Sequence, residues 1–139
     1  MTAVTGLHCR NARAVAYDCY LPSATGSHVA HTDAIVVLTT VASEDEAVNL
    51  IRLLLERRLI ACGTVFPAVR SLYRWQRKIA DEREVAVMLK TRSARLEALQ
   101  SAFQELHPYK VPELLALPVS AGLSKYLEWI NGETSLVLT

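Results

Sequence analysis

Apolar residues fall into repeating patterns only from Ala34 onward. Ile35-Val36-Val37-Leu38 is a short run rich in β-branched residues, the signature of a buried central strand. Ser43 stands three residues before Glu46 and starts a capping box. Behind it Ala47, Leu50, Ile51, Leu54 and Leu55 recur at helical spacing, so one stripe of this helix faces a sheet. Glu44, Asp45 and Glu46 fall at the positive end of its dipole. Ile60 to Trp75 reads as strand, far longer than the usual strand of about 5–6 residues. Pro67 interrupts it and predicts a bulge or bend, because proline cannot donate to a ladder. Arg77 to Asp81 is expected to turn. Glu82 to Lys90 then alternates, with Val85, Val87 and Leu89 on one side and Glu84, Ala86, Met88 and Lys90 on the other. A small sheet cannot cover so long a hairpin, and its far end is expected to find partners on another subunit.

Leu96, Leu99, Phe103 and Leu106 line a second helix. His107-Pro108 stops it, because the residue before proline avoids helical geometry. Glu113 to Val119 reads as another strand, with Pro118 at its edge or end. Leu123, Tyr126, Leu127 and Ile130 predict a last short helix ending near Gly132, and Leu136-Val137-Leu138 a small further strand. The order is βαββαβ plus a terminal helix. Right-handed crossovers fold it into an antiparallel sheet with both main helices on one face, an α+β, ferredoxin-like plait. Residues 1–33 hold no sustained period and read as an N-terminal arm; the domain spans 34–132, and 133–139 is a tail.

Composition narrows the function. The chain has 139 residues, one domain's worth, with 51% hydrophobic residues, so wholesale disorder is excluded. Aromatic residues make up 6%, which predicts an aliphatic core. The net charge is +1, from 15 Lys+Arg against 14 Asp+Glu, and no nucleic-acid partner is expected. No run approaches 18 apolar residues, and no membrane partner is expected either. Cys9, Cys19 and Cys62 make an odd count without a CxxC, which fits a reducing, cytoplasmic setting better than a disulfide framework. There is no GxSxG, HExxH, Walker loop or GxGxxG, and three of the four histidines lie in the arm, so no enzyme is expected.

Five segments carry a resemblance. Ala61-Cys62, Ser71-Leu72-Tyr73-Arg74-Trp75, Glu84-Val85 running to Leu89-Lys90-Thr91-Arg92, His107-Pro108-Tyr109-Lys110-Val111-Pro112-Glu113 running on to Pro118-Val119, and Tyr126-Leu127-Glu128-Trp129-Ile130 resemble the CutA family, in order over 34–132. The resemblance implies a divalent-cation tolerance protein, a homotrimer similar in architecture to PII signalling proteins, with copper or another divalent cation as ligand, no organic cofactor and no established reaction. Some bacterial members carry a cysteine where this chain has Thr39, and two consecutive histidines where it has Leu106-His107. A high-affinity copper site of that kind therefore lacks two soft ligands here.

His107 is the leading metal candidate, with Cys62 as a soft thiolate partner that the fold or a neighbouring subunit must bring to it. The alternative is that His107, protonated, caps its helix and Cys62 is simply buried. Glu84, Lys90, Tyr109 and Glu113 suggest a charged cleft between subunits that takes a metal or a small anion, or else an ion-pair network that closes the trimer. Trp75, near the hairpin end, is a binding platform or an intersubunit anchor. Cys9, Cys19, His28 and His31 match no zinc-finger spacing well.

Overall fold

The computed structural model describes residues 32–136. Four strands and three helices follow one another as β1 (Ala34–Val41), α1 (Glu44–Glu56), β2 (Cys62–Trp75), β3 (Lys78–Arg92), α2 (Leu96–Leu106), β4 (Leu115–Pro118) and α3 (Ser124–Glu133). The strands form one sheet in the order β2-β3-β1-β4, with every neighbouring pair antiparallel. This is the expected α+β, ferredoxin-like plait. The arm up to residue 31, with Cys9, Cys19, His28 and His31, and the end of the tail at 137–139 lie outside the described residues.

Alternation sorts β1 and β3 into two faces. Val37, Thr39 and Val41 pair with Leu89, Val87 and Val85, and all six are buried. They pack against Ala47, Leu50 and Leu54 of α1 and Leu99, Ala102 and Phe103 of α2. Each fully buried leucine in this core contributes about 1.5–3 kcal/mol. Gly63 permits the close approach of α1 to β2: a Cβ there would lie 2.6 Å from a side-chain carbon of Ile51. The opposite face carries Val36, Leu38 and Thr40 of β1 beside Lys90, Met88 and Ala86 of β3. Leu115 and Leu117 of β4 extend it on one side, and Cys62, Thr64 and Phe66 of β2 on the other. α3 covers only one end of it, through Ile130 on Ala34 and Ala61.

Local chemistry sets the boundaries. Ser43 Oγ accepts from the Glu46 N–H at 3.2 Å, and Glu46 Oε2 reaches one residue past the cap to accept from the Ala42 N–H at 3.0 Å, a variant of the capping box. α1 ends with Arg58 at φ 52°. There Leu59 N–H bonds Leu54 C=O at 3.0 Å and Arg58 N–H bonds Leu55 C=O at 2.9 Å, a Schellman arrangement without its usual glycine. The bulge predicted at Pro67 is present, as a register shift between Phe66 and Val69 with Ala68 at φ 58°.

Two boundaries differ from expectation. The hairpin turns at Gln76-Arg77 and not across 77–81, and both residues have positive φ, 45° and 67°, as a two-residue turn that matches strand twist requires. Neither is the Asn or Gly that normally announces such a turn. β4 is shorter than Glu113–Val119 and leaves Glu113 outside the ladder. α3 ends at Glu133, next to Gly132 as expected, and its end is capped by Thr134 Oγ1 donating to the Ile130 carbonyl at 2.8 Å.

Candidate functional site

The β2–β3 hairpin carries Cys62, Trp75, Glu84 and Lys90. Lys90 lies opposite Cys62, Glu84 opposite Val69, and Lys78 opposite Trp75. Glu84 and Lys90 are six positions apart, about 20 Å at the rise of an extended strand, and Trp75 lies about as far again beyond Glu84. Within one chain the seven candidates therefore form separate groups and no single cleft.

The first group is Cys62 with Lys90. Lys90 Nζ donates to Thr64 Oγ1, and no carboxylate lies within ion-pair distance of it among the described residues. The Cys62 thiol lies 3.7 Å from the Tyr126 hydroxyl on α3, a contact that raises the Tyr126 pKa.

Glu84 and Tyr109 make the second group. Glu84 is only 7% exposed, and its Oε1 accepts from the Tyr109 hydroxyl at 2.8 Å. Burial, and then this bond to a carboxylate, push the Tyr109 phenol well above the ordinary tyrosine value. Glu84 lies just past the last β1–β3 pair, Val41 with Val85, so the chain leaving α2 wraps the end of β1 to reach it. Glu113 is exposed on the same connection, and Trp75 is exposed at the hairpin tip.

His107 forms the third group, on the helix-covered side. The ring is 8% exposed, and its Nε2 lies 3.0 Å from Thr39 Oγ1. Its Nδ1 accepts from the backbone N–H of Tyr109 at 3.1 Å. Phe103 and Tyr109 flank it, each with ring centroids 5.4 Å away. Burial lowers its pKa below 6.5, although the Thr40 backbone and the Glu46 carboxylate push the other way. The protonated cap allowed by the sequence is disfavoured, since a second ring proton would point at the Tyr109 N–H.

Thr39 is on the helix-covered face and Cys62 on the other, so the fold does not bring His107 and Cys62 together within one chain. No three His, Cys, Asp or Glu side chains among the described residues are grouped so as to hold a metal ion. A cavity of about 340 Å³ under α3 and a groove of about 530 Å³ beside α2 include none of the seven candidates. Sequence reading missed Thr39 as a partner of His107; the β-branched run around it was the available signal, because it places Thr39 in a buried strand. No helix among the described residues is long and apolar enough to cross a membrane.

Comparison with known proteins gives a consistent result. The family profile of the CutA1 divalent ion tolerance protein matches residues 35–133. The chain is 44% identical over 99 residues to the divalent-cation tolerance protein CutA of Pectobacterium atrosepticum, a match spanning 71% of this chain and 90% of that one. Its fold superposes on the crystal structure of CutA from Xylella fastidiosa with a TM-score of 0.72 and 38% identity, covering 75% of this chain and all 100% of that one. The Archaeoglobus fulgidus relative, described as a periplasmic divalent cation tolerance protein, gives 0.71 and 31% identity over 73% of this chain and 99% of that one. Family profile, sequence relatives and solved folds agree, and the chain belongs to the CutA1 divalent ion tolerance family.

Proposed function

We propose that this protein serves divalent-cation tolerance as a non-enzymatic homotrimer that takes up copper or another divalent ion between its subunits. One observation supports this most: Cys62 and Lys90 lie on a sheet face that is apolar and mostly uncovered among the described residues. Among the described residues, Val36, Leu38, Met88, Leu115 and Leu117 on that face have no second layer beyond the reach of α3. A soluble chain rarely leaves such a face open, and neighbouring copies are its natural cover. The hairpin carries exposed Leu72 and Ile79 at 64% and 72%, apolar contacts of the kind a neighbour buries. Cys62 is the soft donor presented to that boundary, beside Lys90.

Light scattering tests the assembly, with three times 15.4 kDa expected. Equilibrium dialysis against Cu²⁺ then compares the parent with Cys62→Ser. Fewer ions bound per trimer in the variant supports uptake at the boundary. Equal binding, or a monomer in light scattering, rejects it.

A second reading is supported by Lys90, which lacks a carboxylate partner among the described residues on this face. In that reading the trimer is PII-like and binds a small anion at Lys90. A thermal-shift screen of small anions distinguishes the two, because a ligand of the folded state raises its melting temperature and Lys90→Ala removes that rise.

A further inference from the structure

We propose that His107 holds no metal ion in this chain, and that its neutral ring is a clasp setting Tyr109 against Glu84. The backbone N–H of Tyr109 can only donate, so the Nδ1 it meets carries a lone pair and no proton. The ring proton of the neutral form is then on Nε2, where Thr39 Oγ1 receives it. Both nitrogens are thus used inside the chain, and no lone pair is left for an ion. Coordination through Nδ1 would strand the part-buried Tyr109 N–H, and coordination through Nε2 would move the ring proton to Nδ1, where it would face that same N–H donor. The flanking Phe103 and Tyr109 rings leave the imidazole almost no exposed surface.

The same bonds carry a positive role. Thr39 is in β1, His107 ends α2, and Tyr109 starts the connection to β4, so one ring ties three pieces of chain. Its Nδ1 fixes the Tyr109 backbone two residues on, and from there the phenol reaches Glu84. His107 is therefore a positioning residue for the Glu84–Tyr109 pair. The titratable groups near this assembly are Glu46 from the start of α1, Glu84 from β3 and Tyr73 from β2. None approaches as a second donor aimed at the ring.

The test uses the full chain with His8, His28 and His31 changed to glutamine, so that His107 is the single imidazole. Two-bond ¹H–¹⁵N correlation spectra should show the Nε2–H form, unmoved by Zn²⁺ added to several equivalents. Equilibrium dialysis should give the same number of Cu²⁺ ions for this chain and for His107→Asn, which keeps an acceptor near the place of Nδ1. In His107→Leu the acceptor is gone, and the Tyr109 ionisation followed by ring ¹³C shifts should fall toward the ordinary tyrosine value of about 10, while in His107→Asn it stays high. A ring in the Nδ1–H form, a Zn²⁺-dependent shift, or the loss of one Cu²⁺ ion in His107→Asn would overturn the metal-free assignment. An unmoved Tyr109 ionisation in a folded His107→Leu chain would overturn the clasp. The spectra of the single-imidazole chain decide the first point even where His107→Leu does not fold.

Discussion

The hydroxyl of Tyr109 donates to Glu84 Oε1 at 2.8 Å, joining residues 25 positions apart in sequence. The bond gives a nearly buried carboxylate a named partner and pins the α2–β4 connection to the hairpin. An acceptor left buried without its donor loses about 1–3 kcal/mol. Tyr109→Phe should destabilise the chain by that amount in urea unfolding, and Glu84→Gln, which keeps an acceptor oxygen, by less. A loss below about 0.5 kcal/mol in Tyr109→Phe would show that solvent satisfies Glu84 just as well.

His107 makes stability depend on pH in a direction that can be worked out. Its folded-state pKa lies below 6.5, because burial disfavours the charged ring. The unfolded chain therefore binds more protons between the two values, and stability rises with pH through that window. The contribution is complete above about pH 6.5 and is lost as pH falls toward the folded-state value. Melting temperatures recorded from pH 7.5 downward should fall more steeply for the parent than for His107→Asn. Parallel curves would mean that His107 carries no such linkage.

The hairpin turn stores strain that substitution can release. Gln76 and Arg77 both sit at positive φ, where a side chain costs on the order of 1 kcal/mol. Asn and Gly accept this geometry readily at the two turn positions. The double variant Gln76→Asn, Arg77→Gly should gain about 1 kcal/mol or more in urea unfolding. No gain would show that contacts of the native pair, such as those made on assembly, offset the strain.

Much of this fold was legible because its signals are local and periodic. The alternation of Val85, Val87 and Leu89, the Ser43–Glu46 box, the break at His107-Pro108 and the bulge at Pro67 each follow from one physical cause within a few residues. Gln76-Arg77 was not legible, since its turn geometry is imposed by the two long strands and not by its own side chains. The end of α3 was legible to within one residue at Gly132, although Thr134 is the residue that caps it. The candidate residues were found from their chemistry and from a family resemblance. Their arrangement was not, because sequence spacing does not tell which face of the sheet a connection returns to, and so could not separate His107 from Cys62 or give it Thr39.

Leu38 offers the sharpest contrast between folding and assembly. It faces away from the helices, with Met88 opposite it on β3 and Leu115 opposite it on β4. Nothing of the main core rests on it, because α1 and α2 pack on the other face. A lysine there can extend to water in a lone chain, so the helical signal in circular dichroism should stay the same. In a trimer closed over this face the same lysine would be buried without a counter-charge, which is costly enough to break the contact. Leu38→Lys should therefore move the light-scattering mass from three copies down to 15.4 kDa. Leu50→Ala should do the reverse, losing about 2–5 kcal/mol of stability from the core while keeping the assembled mass. If Leu38→Lys stays trimeric, the open face is not where the copies meet, and a metal or anion site built across it has to be abandoned.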